Sequence, residues 1–253
     1  MKVISYNVNG IRASLNKGLL DWLKKVDPDV LCLQEIKALE SDIDLNLFRE
    51  LGYEHIIINS AQKKGYSGVA IFSKLKIDFF SKGIGNDFFD AEGRVIRADI
   101  GDVSIICVYI PSGTSGEERQ GLKMQFLDLF HNYINDLKKT RPNILICGDH
   151  NICHKPIDIN KPEKHEKMSG FLPEEREWFD KYVDSGLVDA FREFNKDPEQ
   201  YTWWSFRSNA RAKNLGWRID YHIVTEGLKD RLKSAEIHSD VMFSDHCPIA
   251  IEL

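Results

Sequence analysis

Short β-branched runs alternate with stretches of helical periodicity from one end of the chain to the other, with no long Pro/Gly/Ser linker and no low-complexity tract between them. One continuous domain over residues 1–253 is therefore expected. The runs predict strands at Val3–Tyr6, Val30–Leu33, His55–Asn59, Val69–Phe72, Ile77–Phe80, Val95–Ile100, Val103–Ile110, Ile144–Cys147, Ile219–Val224, Ala235–His238 and Ile249–Ile251. Helices are fewer. Leu15, Leu19, Leu20, Trp22, Leu23 and Val26 recur at helical spacing until Pro28, and Leu122, Phe126, Leu129, Phe130, Tyr133 and Leu137 do so up to Pro142. A third helix is expected after Pro173-Glu174-Glu175, where proline and acids suit a first turn. Strands that follow one another without a helix, as in Val69–Phe80 and Val95–Ile110, demand antiparallel pairs. Two mixed sheets packed face to face with helices outside, a layered α/β sandwich, would bury these runs on both faces.

At 253 residues with 42% hydrophobic and 29% charged positions, the chain has the composition of a globular protein with a large core, which excludes disorder and collagen-like repeats. No apolar run approaches the ~18 residues of a membrane span, so a soluble, cytoplasmic protein without a membrane partner is expected. Three of its five cysteines, Cys32, Cys107 and Cys147, sit inside apolar runs, and no C-x-x-C pair occurs; reduced thiols are expected. The net charge of −5 argues against indiscriminate coating of nucleic acid, yet it is an average. Gln200–Ile219 carries Arg207, Arg211, Lys213 and Arg218 with no acid, and Ala61–Ile77 carries Lys63, Lys64, Lys74 and Lys76 with none, which makes two +4 segments on a −13 remainder. Bases among aromatics suit phosphate contact with stacking or groove insertion, although Trp203, Trp204 and Trp217 would also suit an ordinary core.

Polar chemistry punctuates the apolar strands. Ile4-Ser5-Tyr6-Asn7, Leu31-Cys32-Leu33-Gln34-Glu35 and Leu145 through Asn151 each end in a metal-ligand or proton-transfer residue, and Tyr109, Asp220 and Asp245-His246 repeat the pattern. A site at one edge of the sheets is implied. Asn7, Glu35, Asp149, Asn151 and Asp245 offer oxygens, which suit Mg²⁺ or Mn²⁺ better than zinc. Glu35 is the best direct ligand, because Mg²⁺ keeps several waters and takes one or two carboxylates. His246 is a candidate base or phosphate donor, with Asp220 able to hold its tautomer. His55, His131, His165 and His238 are read as ordinary surface or core residues.

These blocks, Asn7-Val8-Asn9-Gly10-Ile11-Arg12, Leu33-Gln34-Glu35-Ile36-Lys37, Gly68–Phe72, Tyr109–Gly113, Gly148-Asp149-His150-Asn151-Ile152, Gly216–Tyr221 and Ser244-Asp245-His246-Cys247-Pro248-Ile249, resemble the exonuclease III family of apurinic/apyrimidinic endonucleases, in that family's order and across essentially the whole chain. Deoxyribonuclease-I-like phosphatases and sphingomyelinases share the Gln-Glu, Gly-Asp-x-Asn and Ser-Asp-His elements. Trp203-Trp204, Asn209–Asn214 and Gly216–Tyr221 mark the DNA-repair branch.

The resemblance implies a four-layered αββα sandwich and metal-dependent hydrolysis of the phosphodiester 5′ to an abasic deoxyribose, leaving a 3′-hydroxyl, with 3′-5′ exonuclease and end-trimming activity as an accompanying expectation. It implies Glu35 as principal metal ligand, with Asn7 and Asp245 in the metal shell and Asp149, Asn151 and His246 beside them. It implies Asp149 as the residue that activates water or protonates the leaving oxygen, Asn151 as the side chain orienting the phosphate, Tyr109 as a phenol near the leaving group, and Asp220 with His246 as the carboxylate–imidazole pair. Whether Asp149 or His246 takes the proton stays open. Trp203, Trp217 and Ile219 align with an apolar pocket for a flipped-out abasic sugar, while Asn209, Arg211, Lys213 and, from the loop after Tyr109, Arg119 are expected at DNA.

The implied partner is duplex DNA with abasic sites or blocked 3′ ends, handled by a monomer needing no protein partner. Asn9 stands where some members have Asp, which leaves the number of ions open. His150 stands where an apolar or aromatic residue is expected; it would either contact metal or face the opposite side of the strand, and the second reading is favoured. The rival readings are a phosphatase or phospholipase of small or lipid phosphodiesters and a DNA-damage binding module without catalysis.

Overall fold

Apolar side chains on both faces of the strands require each sheet to be covered twice. The computed structural model, which describes residues 1–253, meets that demand with two six-stranded sheets. The strands are β1 (Lys2–Asn7), β2 (Val30–Gln34), β3 (His55–Asn59), β4 (Val69–Ser73), β5 (Phe79–Lys82), β6 (Val95–Ile100), β7 (Val103–Tyr109), β8 (Asn143–Asp149), β9 (Leu187–Asp189), β10 (Trp203–Trp204), β11 (Gly216–Trp217), β12 (Asp220–Thr225), β13 (Ser234–Ile237) and β14 (Ile249–Glu252). The helices are α1 (Ile11–Asn16), α2 (Leu19–Val26), α3 (Asn46–Arg49), α4 (Asp87–Asp90), α5 (Glu117–Lys138), α6 (Pro173–Asp184), α7 (Ala190–Phe194) and α8 (Glu226–Lys229).

One sheet runs β13-β14-β1-β2-β4-β3 and the other β5-β6-β7-β8-β12-β9. Both are mixed: β1–β2 and β7–β8 are parallel, and the other pairs are antiparallel. A small antiparallel ribbon, β10–β11, pairs Trp203 with Trp217.

Three buried clusters correspond to the three interfaces of four layers. Val30, Cys32, Ile105, Cys107, Leu145 and Cys147 meet between the sheets. Leu31 and Leu33 of the alternate register pack with Leu19, Leu23 and Phe48 beneath α2 and α3. Ile106, Ile144 and Ile146 pack with Phe126, Phe130 and Phe179 beneath α5 and α6. The four-layered sandwich is thus present.

The expected helix Leu15–Val26 is two helices, because Gly18 takes φ 103° between them. The strand expected from Ile77 begins at Phe79, and just before it Asp78 accepts from the Gly101 N–H at 3.0 Å. Strands of two or three residues, such as β9, β10 and β11, are too short to show alternation. No helix is long and apolar enough to cross a membrane.

Candidate active site

Period-2 geometry decides which residues can share a site. In β8, Leu145 and Cys147 face the inter-sheet core, so Asp149 faces the same way at the strand's end. Tyr109 continues Ile105 and Cys107 on β7 and lies opposite Asp149 in register, while Asp220 opens β12 opposite Asp149 on the other side. From the second sheet, β1 ends at Asn7 on the face of Val3, and β2 ends one residue before Glu35. One open end of the sandwich therefore gathers carboxylates, an amide and a phenol from both sheets. Gly148 is required here: it holds φ 144°, and a Cβ would lie 1.9 Å from the Val108 carbonyl oxygen.

Ligand atoms of Glu35, Asp149 and His246 lie within 4.8 Å of one another. Asn7, fully buried, donates through Nδ2 to Glu35 Oε1 and to Asp149 Oδ2, both at 2.9 Å, while its Oδ1 accepts from the Asn9 N–H at 3.0 Å. Asn7 thus enters as a donor bridging two carboxylates, with its own oxygen already engaged. Lys37, on the turn after Glu35, places its ammonium 2.8 Å from Glu35 Oε2. Asp245 is fixed by Asn9 Nδ2 at 2.9 Å, Trp203 Nε1 at 3.0 Å and Ser244 Oγ at 3.1 Å. Burial pushes its carboxyl up, but the charge of His246 and these hydrogen bonds hold it below the ordinary value.

His246 Nδ1 lies 2.9 Å from Asp220 Oδ2, and its Nε2 lies 3.8 Å from Asp149 Oδ2. A carboxylate only accepts, so Nδ1 carries the proton and Nε2 faces Asp149. Burial alone would lower the imidazole pKa, yet Asp220, by charge and hydrogen bond, then Asp149 and Asp245, raise it to about 10. Asp149 is raised to about 8, first by burial; His246 pulls it down, and Asp220 and Glu35 push it up again. Burial, then Glu35 and Asp149, also drive the Tyr109 phenol well up.

This excess of negative charge, together with the buried Asp220 Oδ1 that has no partner, suits a divalent cation bound mainly through oxygen. Tyr109 is held from behind by Arg94, which donates to its carbonyl at 3.0 Å and sits 4.8 Å from its ring centre. Asn151 is left-handed at φ 53°; its N–H donates to Asp149 Oδ1 at 2.8 Å and its Nδ2 to the Ile110 carbonyl at 2.8 Å.

A cavity of about 260 Å³ opens directly from these groups, with Glu35, Tyr109, Asp149, Asn151, Asp245 and His246 on its polar side. Trp203, Trp217 and Ile219 line the other side, the two indoles edge to face at 5.9 Å and 83°. The residues singled out for an apolar pocket therefore share one cleft with Glu35, Tyr109, Asp149, Asn151, Asp245 and His246, while Asn7 and Asp220 are buried outside its lining. Met168, Ser169 and Gly170 also line it, residues that nothing in the sequence pattern marked.

The bases behave less uniformly. Arg211 spends its guanidinium on the carbonyls of Ser244, His246, Ser239 and Val241 and stacks over Trp204, bracing the loop that carries Asp245. Arg119 is engaged with Glu92 and Tyr66. Arg218 is buried against Asp158 and Asp189, and Lys74 and Lys76 pair with Asp27 and Asp78. Asn209 and Lys213 are exposed outside the cavity lining, as are Arg207, Lys63 and Lys64. His150 turns away from the site. Its ring packs on Phe179, Tyr182 and Tyr221, the face opposite Asp149.

The model of the endonuclease/exonuclease/phosphatase family matches residues 4–246. An exodeoxyribonuclease of Bacillus subtilis (strain 168) is 43% identical over 253 residues, covering 99% of this chain and 98% of that protein. DNA repair nuclease APEX1 of Danio rerio is 39% identical over 255 residues, covering 100% of this chain and 82% of that protein. The solved structure of an AP endonuclease from Archaeoglobus fulgidus superposes with a TM-score of 0.89 at 31% identity, covering 99% of this chain and 98% of that one.

Proposed function

The chain belongs to the endonuclease/exonuclease/phosphatase family, and we propose that it is an exonuclease III-type repair enzyme that hydrolyses the DNA backbone 5′ to abasic sites, leaving a 3′-hydroxyl, and trims 3′ ends. The observation that carries this reading is the shared cleft: the Glu35, Asp149 and His246 cluster opens directly onto a pocket walled by Trp203, Trp217 and Ile219. An abasic sugar has no base to unstack, so its extrusion costs less than that of an intact nucleotide, and a compact apolar pocket excludes an attached base.

Glu35 and Asp149 would hold the cation, with Asp245 next to them, while His246, its Nδ1 taken by Asp220, stands beside the site as a donor. When bound, a divalent ion, Mg²⁺ in this proposal with Mn²⁺ able to use the same oxygens, supplies a Lewis acid that offsets charge on the phosphate. The remaining work belongs to the chain. Asp220 keeps the His246 proton on Nδ1 and stabilises the imidazolium, whose Nε2–H is a donor toward a phosphate oxygen. Asn151 and Tyr109 line the same cavity, and in this reading Asn151 orients the phosphate and Tyr109 serves the leaving oxygen. Asp149, whose Oδ2 lies 3.8 Å from His246 Nε2, is placed to exchange a proton with the attacking water or the leaving group.

Residues 1–253 act as one catalytic unit in this reading, because Asn7 from the first strand and His246 from near the end both reach Asp149. The reading takes the active species to be a monomer. Incubation of a duplex carrying one abasic analogue with the protein tests it. Nicking in Mg²⁺ that stops with EDTA is expected, and absent or EDTA-resistant nicking would overturn it.

A further inference from the structure

Lys123 and Glu175 form an ion pair at 2.5 Å with both side chains wholly removed from solvent. Neither belongs to the cation cluster or the cavity lining. A charged pair this deep is costly unless its remaining hydrogen-bonding capacity is used, so where those bonds go shows what the pair holds.

Lys123, from the buried face of α5, donates a second bond to the Asn151 carbonyl at 2.8 Å. Glu175, in the first turn of α6, accepts through Oε2 from the Gly170 N–H at 2.6 Å and the Leu172 N–H at 3.0 Å. Its Oε1 also takes Gln120 Nε2 at 3.0 Å and Ser169 Oγ at 3.3 Å. The Leu172 bond is helix capping and needs no further purpose. The others join two pieces of the cleft.

Asn151 is the left-handed residue whose amide stands in the site, and Gly170 is the cavity wall against Trp217. That wall has no slack. Gly170 holds φ 97°, and a Cβ there would lie 2.8 Å from Trp217 Cζ3. The two segments are also tied by the Cys153 N–H to the Gly170 carbonyl at 2.7 Å.

We propose that Lys123 and Glu175 are positioning residues, a buried strap that sets the distance between the Asn151 amide and the Gly170–Trp217 wall. The inference rests on the hydrolytic reading of the site. Lys123 fixes the backbone of Asn151 and Glu175 fixes the backbone of the wall, so the ion pair transmits the placement of one to the other. The phosphate-orienting group and the sugar-holding wall must be in register for attack. Loss of the strap therefore lowers turnover more than substrate binding, which the wall and the outer surface still provide.

The neutral double variant Lys123→Met with Glu175→Gln removes both charges without orphaning either, and the side-chain carbonyl retained at position 175 can still accept from Gly170 and Leu172. On a duplex with one abasic analogue in Mg²⁺, kcat is expected to fall about ten- to a hundredfold, while KM stays within about threefold, at a temperature well below its melting point. Glu175→Asp retains the charge and the pair but shortens the arm, and it is expected to show the same split. Wild-type kcat in the folded double variant overturns the inference, and so does an equal loss in kcat and KM tracking reduced melting temperature. Should the double variant not fold, Glu175→Asp decides by the same criteria. Failure of the wild-type protein to nick that duplex would instead overturn the functional reading.

Discussion

His246 and Asp220 stand 26 positions apart in the chain, yet His246 Nδ1 and Asp220 Oδ2 meet at 2.9 Å in a buried contact. Sheet register brings them together: β12 starts at Asp220 beside Asp149, and the segment before β14 bridges from His246 to Trp203. Asp220→Asn would remove the charge that raises the His246 pKa, so the imidazole titrates lower than in the wild type and loses its preferred tautomer. A loss of about a hundredfold or more in kcat is expected, by analogy with other carboxylate–imidazole pairs. Turnover measured beside an NMR titration of His246 checks both parts, and unchanged turnover would remove the pair from the mechanism.

Glu35→Ala leaves Lys37 without its carboxylate, but that lysine is partly solvent-exposed and can hydrate, so the fold should persist. Cleavage at low Mg²⁺ should fall steeply and recover in part at high Mg²⁺, because a metal site loses affinity before it loses all geometry. A nicking assay across a metal titration reads this, and a wild-type profile would contradict the ligand assignment.

His150 and His222 give acid sensitivity independent of catalysis. Burial lowers His150 to about 4 and His222 to about 3, and their Nε2 atoms have no partner. Below the ordinary histidine value of 6.5 the unfolded chain takes up protons that the folded one refuses. Stability from these groups is therefore complete above pH 6.5 and is lost as pH falls toward their folded values, by on the order of 1 kcal/mol per pH unit for each. His150→Phe, set among Phe179, Tyr182 and Tyr221, should lose its share of that slope. Urea unfolding of both proteins from pH 7 to pH 5 should show the variant gaining relative stability as pH falls, and a constant difference would refute the account.

The layers, the strand-end logic and the cluster residues were legible because alternation places Asn7, Tyr109, Asp149 and Asp220 on one face, and sequence records alternation directly. Ion-pair partners are not recorded that way. Of the two basic segments, Arg218 and Lys74 are neutralised by acids distant in sequence, Lys76 pairs with Asp78 just beyond its own segment, and Arg211 is a brace for the 239–246 loop. Lys123 does carry a local signal: it lies three residues from Phe126 and four from Leu127, on the helix's buried side. A lysine on an apolar face needs a partner, but only the fold identifies Glu175.

Lys63, Lys64, Arg207 and Lys213 remain exposed, and phosphate contacts are expected from them. Four such contacts correspond to an affinity loss of about a hundredfold between 50 and 200 mM salt. Lys63→Ala with Lys64→Ala should lower the slope of log affinity against log salt by about two, measured by fluorescence anisotropy with EDTA present. An unchanged slope would move the DNA path elsewhere.

In the proposed function, one cleft both holds the abasic sugar and hydrolyses the phosphate on its 5′ side. Nucleotide-resolution mapping of the cut, with the same duplex carrying either one abasic analogue or an intact base at that position, tests it directly. In Mg²⁺, a single incision immediately 5′ to the analogue is expected, with a 3′ end that a polymerase extends and no internal cut in the intact duplex. Incision 3′ to the analogue, or equal internal cutting of both duplexes, would contradict it.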